Sequence, residues 1–233
     1  MGDPTVAEGG DAKYTLELNG TLQAGETATI DLSIGNPDTN SADYANFVTA
    51  VNNAIANYMG TGTLAFDGTT LTFTSDGDPM DDLCIELTAI DDMLVEGPEG
   101  YTVSIGNPGT TTGSDVTTGG PTTVTTTITD NDIATFSIMG DPTVAEGDDA
   151  KYTLELNGTL QTGETATIDL SIGNPDTNSA DYANFVTAVN NAIANYMGTG
   201  TLAFDGTTLT FTSDGDPIDD LCIELTATDD TLV

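Results

Sequence analysis

The acids of this chain fall in groups, and the groups stand where strands should begin or end. Glu8 sits in a Glu-Gly turn, Asp43 precedes Tyr44, and Asp91-Asp92 lie near Glu96 and Glu99. Asp130-Asn131-Asp132 closes a threonine-rich run. A β-sandwich could gather all of these at one pole. Eight carboxylates held together repel strongly unless a cation neutralises them. Hard oxygen donors in that number suit Ca²⁺, which takes about 6–8 oxygens in flexible geometry, whereas Mg²⁺ asks for fewer protein ligands and a stricter octahedron. Zinc is disfavoured, because the chain has no His and one Cys per repeat.

The elements that must position these acids can be read from periodicity. Residues 12–18 and 27–34 alternate apolar and polar, as half-buried strands do. Residues 63–66 and 69–74 flank Asp67-Gly68 and read as a hairpin, and strands are expected at 83–90, 101–105 and 122–129. About seven short strands per repeat predict an immunoglobulin-like antiparallel β-sandwich. One segment departs from period two. Tyr44, Phe47, Val48, Val51, Ile55, Tyr58 and Met59 follow 3.6-residue spacing, which predicts an amphipathic helix of about four turns, capped by Ser41 or Asp43 and stopped at Gly60. The fold class is therefore all-β: tandem sandwich domains, each with a short helical insertion.

The chain nearly repeats itself with a period of 138 residues. Positions 1–95 match 139–233 with five differences: Gly10/Asp148, Ala24/Thr162, Met80/Ile218, Ile90/Thr228 and Met93/Thr231. Two domains follow, 1–132 lacking its first strand and 133–233 lacking its last ones. The expectation is a window cut from a longer array. In copy two, the acids corresponding to the groups above are Glu146, Asp181, Asp229 and Asp230.

Thirty-eight acids face two bases, Lys13 and Lys151, for a net charge of −36. That balance argues against nucleic acid or an anionic membrane as partner. No run of about 18 apolar residues offers a membrane span. Catalysis is not expected: the single Lys and Cys of each repeat have no base partner. Cys84 and Cys222 occupy equivalent positions on the polar face of a predicted strand, either as free thiols or as cross-links between chains. The acidic loop Asp76-Gly77-Asp78-Pro79-Met80-Asp81-Asp82 fails the EF-hand template and reads first as a solvated turn.

Six segments in order resemble a Calx-β domain: Thr-Val-Ala-Glu-Gly (5–9), Ala-Asp-Tyr (42–44), Leu-Thr-Phe (71–73), Ile-Asp-Asp (90–92), Val-Glu-Gly-Pro-Glu-Gly-Tyr (95–101) and Thr-Ile-Thr-Asp-Asn-Asp (127–132). The resemblance implies a cluster of Ca²⁺ ions held by Glu8, Asp43, Asp91, Asp92, Glu96, Glu99 and the Asp130-Asn131-Asp132 triplet, with Leu94 offering its backbone carbonyl. Asn131 departs from the pattern, since an acid is expected in the middle of the triplet. The helical insertion directly after Asp43 is a second departure.

The function expected from this reading is a calcium-stiffened structural repeat of an extracellular fibre, matrix filament or adhesin stalk. Its partners would be adjacent repeats of the same array, with self-assembly into filaments. Near-identical copies favour length and uniformity over distinct tasks. The alternative is an adhesive module that reads a host, glycan or protein partner through the helix or an inter-repeat groove. Placement outside the cell or on its surface rests on the resemblance and on the millimolar calcium there, which suits weak sites.

Overall fold

The computed structural model describes residues 2–39, 41–111, 115–173, 177 and 179–229. The chain divides into two compact units. Unit 1 comprises Met1–Asp92 and Gly97–Asn131; unit 2 comprises Met93–Glu96 and Asp132–Val233.

Along the first copy of the repeat the strands are β1 (Thr5–Ala7), β2 (Asp11–Leu16), β3 (Thr27–Gly35), β4 (Thr63–Phe66), β5 (Thr70–Thr74), β6 (Leu83–Thr88), β7 (Leu94–Val95), β8 (Glu99–Thr110) and β9 (Thr123–Thr129), with helix α1 (Phe47–Ala56) between β3 and β4. Unit 1 is a sandwich. One sheet runs β1-β9-β8-β3-β5-β4 and the other pairs β2 with β6. Pairing is antiparallel except between β1 and β9, which run parallel. The inward faces of both sheets share one core, in which Tyr14, Ile85 and Leu87 from one layer meet Leu32, Leu71, Tyr101 and Ile128 from the other. Alternation makes this possible: β6 reads buried–exposed throughout, with Leu83, Ile85 and Leu87 inside and Cys84, Glu86 and Thr88 outside.

The helix starts later than its periodicity predicts. Asn46, not Ser41 or Asp43, is the cap, its side chain accepting from the Thr49 amide at 2.9 Å. Tyr44 is drawn instead into a bridge with Ala89 at the end of β6. The helix buries Phe47, Ala50 and Val51 against the sandwich and ends at Ala56 with Asn57 as C-cap, short of Gly60. Gly60 is required for a different reason: a Cβ there would stand 2.4 Å from the Tyr58 hydroxyl and 2.6 Å from the Asp81 Cβ.

Unit 2 contains β10 (Thr135–Gly140), β11 (Asp149–Asn157), β12 (Thr159–Leu160), β13 (Thr165–Asp169), α2 (Phe185–Asn195), β14 (Thr201–Phe204), β15 (Thr208–Thr212) and β16 (Leu221–Thr226). Its sheets run β10-β11-β16 and β13-β15-β14, and β12 pairs parallel with β7. The Met93–Glu96 segment, assigned by sequence to the first repeat, thus belongs to unit 2. Val95 packs there among Leu156, Leu160 and Phe211.

The near-identical sequences of the two units fold differently where their partners differ. Thr5-Val6-Ala7 forms a strand beside β9; its counterpart Thr143-Val144-Ala145 is irregular. Val6 is 9% exposed and Val144 41%. Residues 27–35 form one long strand between β5 and β8, whereas the identical 165–173 stops being a strand at Asp169. β1 is paired with β9 and β3 with both β5 and β8, whereas β13 is paired with β15.

Candidate metal centre

The pole of unit 1 is built by backbone hydrogen bonds before any side chain acts. The Glu8 amide donates to the Thr129 carbonyl at 3.1 Å, and the Gly9 amide to Ala89 at 3.0 Å. The Ala89 amide returns a bond to the Gly10 carbonyl at 2.8 Å, and the Ile90 amide donates to Asp43 at 2.9 Å. The Glu-Gly turn is therefore fastened to the ends of both β9 and β6. Gly9 has φ +72°, and a Cβ there would meet Asp91 Cβ at 3.5 Å. A side chain at that position would be strained by the positive φ, while its Cβ would make only an ordinary contact with Asp91.

On this frame the carboxylates of Glu8, Asp92 and Asp132 converge, each offering an oxygen within 4.8 Å of the others. Glu8 and Asp132 are half-buried and Asp92 is exposed. One oxygen of each half-buried acid, Glu8 Oε2 and Asp132 Oδ2, is shielded from solvent and accepts no hydrogen bond; both residues engage other groups. The donor set is oxygen throughout. It fits a hard divalent cation and offers nothing to a soft one.

Of the other predicted ligands in the first copy, Asp91 is tied to the triplet, and Asp43, Glu99 and Asp130 stand at or beside strand ends. Asp91 is exposed, and its Oδ1 accepts from Asn131 Nδ2 at 2.8 Å. The same amide reaches toward the Glu8 carbonyl at 3.5 Å. Asn131 thus acts here as a donor that ties the triplet to the Asp91-Asp92 corner. Asp43 is half-buried, and its carbonyl is held at the end of β6. Glu99 opens β8 opposite Ile128, and Asp130 follows β9 directly. Glu96 faces elsewhere: β7 pairs with β12, and Glu96 Oε1 accepts from Gln161 Nε2 at 2.9 Å within unit 2.

In unit 2 part of the same frame recurs. The Gly147 amide donates to Ala227 at 2.9 Å, Ala227 donates to Asp148 at 2.8 Å, and Thr228 donates to Asp181 at 2.9 Å. Glu146 and Asp229 are exposed and Asp181 is half-buried. Asp230 lies outside the described residues.

The loop at 76–82 uses its acids for folding. Asp76 accepts from the Gly62 amide at 3.1 Å and the Asp78 amide at 3.2 Å, and Asp81 accepts from the Thr61 amide at 3.2 Å. The Gly62 and Asp78 amides hold the Asp76 carboxyl below the usual carboxylate range. The two lysines also have partners, Lys13 with Glu86 at 2.7 Å and Lys151 with Glu224 at 3.2 Å.

A buried polar group escaped the sequence reading. The Tyr14 and Tyr101 hydroxyls lie 2.9 Å apart, Thr126 Oγ1 is 2.6 Å from Tyr14, and Thr126 donates to the Asp3 carbonyl at 2.7 Å. Burial, together with the Tyr14 hydroxyl, pushes the Tyr101 hydroxyl far above the ordinary tyrosine range. The sequence signal was available only in part: Tyr14 alternates inward, but nothing local marks Thr126 as its partner.

No protein-family model and no curated protein matches the chain. Among solved structures it is similar to a crystal structure of CBD12 from CALX1.2, at 15% identity and TM-score 0.35, covering 98% of this chain and 73% of that one. It is similar to the apo-form Calx CBD1 domain at 19% identity and TM-score 0.33, covering 56% and 92%. It is also similar to the calcium binding domain CBD12 of CALX1.1 at 16% identity and TM-score 0.35, covering 93% and 71%.

Proposed function

We propose that the repeat is a Ca²⁺-binding β-sandwich module of a structural array, outside the cell or on its surface. The observation that carries this reading is the convergence of Glu8, Asp92 and Asp132 on one point of a heavily acidic chain. Three carboxylates at that spacing repel one another, and a divalent cation turns the repulsion into cohesion. The six ordered motifs that resemble a Calx-β domain support the same ligand set. Asp132 immediately precedes Ile133, so a cation there would restrain the chain as it leaves the pole. Repetition of such restrained exits would stiffen a filament, with adjacent repeats as partners.

The test is thermal unfolding of the chain in calcium, magnesium and chelator. Binding to the folded state alone adds RT ln(1 + [L]/Kd), about 2.7 kcal/mol per site at a hundredfold excess over Kd. A rise in Tm with calcium that exceeds the rise with magnesium is expected. An identical curve in chelator rejects the reading.

One observation favours a second reading, an adhesive module. An open groove between α1 and the outer face of β6, lined by Asn53, Asn57, Met59, Cys84 and Glu86, recurs between α2 and β16 at the positions offset by 138. Met59 and Met197 are almost fully exposed at its rim. Replacing both methionines with Ser should abolish partner capture under this reading and leave calcium-dependent melting unchanged.

A further inference from the structure

Each unit carries an open groove between its helix and the outer face of the strand that the helix packs on, α1 over β6 and α2 over β16. The volumes are about 880 Å³ in unit 1 and about 790 Å³ in unit 2, within the range of ligand-binding clefts. The two linings correspond position for position at an offset of 138, and none of the five differing positions is among them. The groove recurs although one flanking sheet is β2-β6 and the other β10-β11-β16, so it does not depend on what lies beside β2 or β11.

On the helix side Asn53 and Asn57 stand four residues apart and both are exposed, so their amides can pair with the backbone of an extended chain. At the rim Met59 is 95% exposed, and the corner that presents it is braced. The Tyr58 hydroxyl donates to the Thr61 carbonyl at 3.0 Å and accepts from the Asp81 amide at 3.1 Å. Met197 is 94% exposed beside the same brace, with the Tyr196 hydroxyl donating to the Thr199 carbonyl at 2.9 Å. A polarizable apolar side chain on a fixed corner is an anchor that needs little ordering when it is covered. On the strand side Asp11, Asp81, Asp82 and Glu86 are exposed, and no base lines the groove. Their counterparts in unit 2 are Asp149, Asp219, Asp220 and Glu224.

We propose that each groove binds an extended segment of a basic partner protein, with an arginine or lysine among the four acids and an adjacent apolar side chain against the methionine. The inference rests on the adhesive reading above and gives that reading a class of partner. Charge selects the occupant. A second copy of this chain would bring a net charge of −36, and its two lysines are already paired, with Glu86 at 2.7 Å and Glu224 at 3.2 Å. A basic segment meets complementary charge at every acid of the lining. One groove per repeat also makes the chain multivalent, so a partner with several basic segments is held more tightly than one groove alone would hold it.

The test is titration of the 233-residue chain, in saturating calcium, with an acetylated and amidated peptide Gly-Leu-Arg-Gly-Leu-Arg-Gly and with a twin carrying glutamine for both arginines. The arginine peptide should bind once per groove and shift the backbone amide signals of residues 53–60 and 191–198. Its affinity should fall about tenfold or more for the Asp82→Asn, Asp220→Asn chain. The Asp78→Asn, Asp216→Asn chain loses the same charge outside the groove and should stay within about twofold of the parent. Equal losses in the two variants would mean general attraction to an acidic chain and overturn the proposal, as would no binding of the arginine peptide. Equal binding of the glutamine twin also overturns it. If partner capture is nevertheless lost on replacing both methionines, the adhesive reading stands and only the basic partner is rejected.

Discussion

Asn131 Nδ2 donates to Asp91 Oδ1 across 2.8 Å, joining the segment after β9 to the acid pair after β6. The bond holds the triplet against the corner where Glu8 and Asp92 converge without adding charge. Asn131→Asp would replace it with a like-charge contact. In chelator the Tm of this variant should fall below that of the parent. In saturating calcium the gap should close or reverse, because the new carboxylate can become a ligand. Melting curves in the two conditions decide this; a gap of the same size in both would exclude a role near the cation.

Asp92→Asn should weaken calcium binding about tenfold or more, equivalent to about 1.4 kcal/mol. Asp78→Asn, in the loop whose neighbours serve as backbone acceptors, should leave binding within a factor of two. Calorimetric titration of both variants separates them, and the opposite ranking would place the ion elsewhere.

Thr126 is fully buried and joins the Tyr14 hydroxyl to the Asp3 carbonyl. Thr126→Val keeps its shape and removes the link. The expected cost is about 1–3 kcal/mol, the usual penalty for stranding a buried polar group. Unit 2 has no β9 counterpart among its described residues. Hydrogen exchange should therefore accelerate in unit 1 and stay unchanged in unit 2.

Asp67 and Asp205 occupy equivalent hairpins. Each accepts two backbone amides, Thr69 and Thr70 at 2.9 and 2.7 Å, and Thr207 and Thr208 at 2.9 and 2.8 Å. These bonds favour the charged form and hold both carboxyls below the usual range. The folded state then binds fewer protons than the unfolded one in that window. The added stability is complete above the unfolded value of about 3.9 and is lost as pH falls through the folded values. The doubly substituted Asp67→Asn, Asp205→Asn chain should lose stability at neutral pH and depend less steeply on pH below about 4, as acid titration followed by circular dichroism would show.

Asn46→Ala removes the side chain that caps α1 and should cost about 1 kcal/mol. Ser41→Ala, at a cap position that sequence favoured, should cost nothing measurable. Thermal melts of the two variants test the placement.

Much of the architecture was legible because it is local. Alternation at 27–34 and 63–74 and the Asp67-Gly68 turn carry their own pairing information, and the strands lie there. The helix was legible as a face but not as a start, because Tyr44 fits the helical period equally well and is claimed by Ala89, 45 residues away. β1 and β7 were illegible for a related reason. Three and two residues long, they are strands only because β9 and β12 lie beside them. At the site, residue type marked Glu8, Asp92 and Asp132 as candidates. That these three converge while Glu96 turns to Gln161 depends on where β7 pairs, which no spacing in the chain reveals.

The repeats also have a consequence for how the chain reaches this structure. With 90 of 95 aligned positions the same, β11 and β2 are interchangeable to any partner they meet during folding. β6 can be captured by Asp149–Leu154 as readily as by Asp11–Leu16, in a register the pairing rules cannot tell apart. Refolding from denaturant should therefore include misassembled species that must dissolve before native pairing forms, a trap characteristic of sequence-identical neighbours. Dilution would not relieve it, since both competitors travel on one chain. In the first copy the five positions that differ, Gly10, Ala24, Met80, Ile90 and Met93, all lie outside the strands and the helix, so the ladder residues of β2 and β11 are the same.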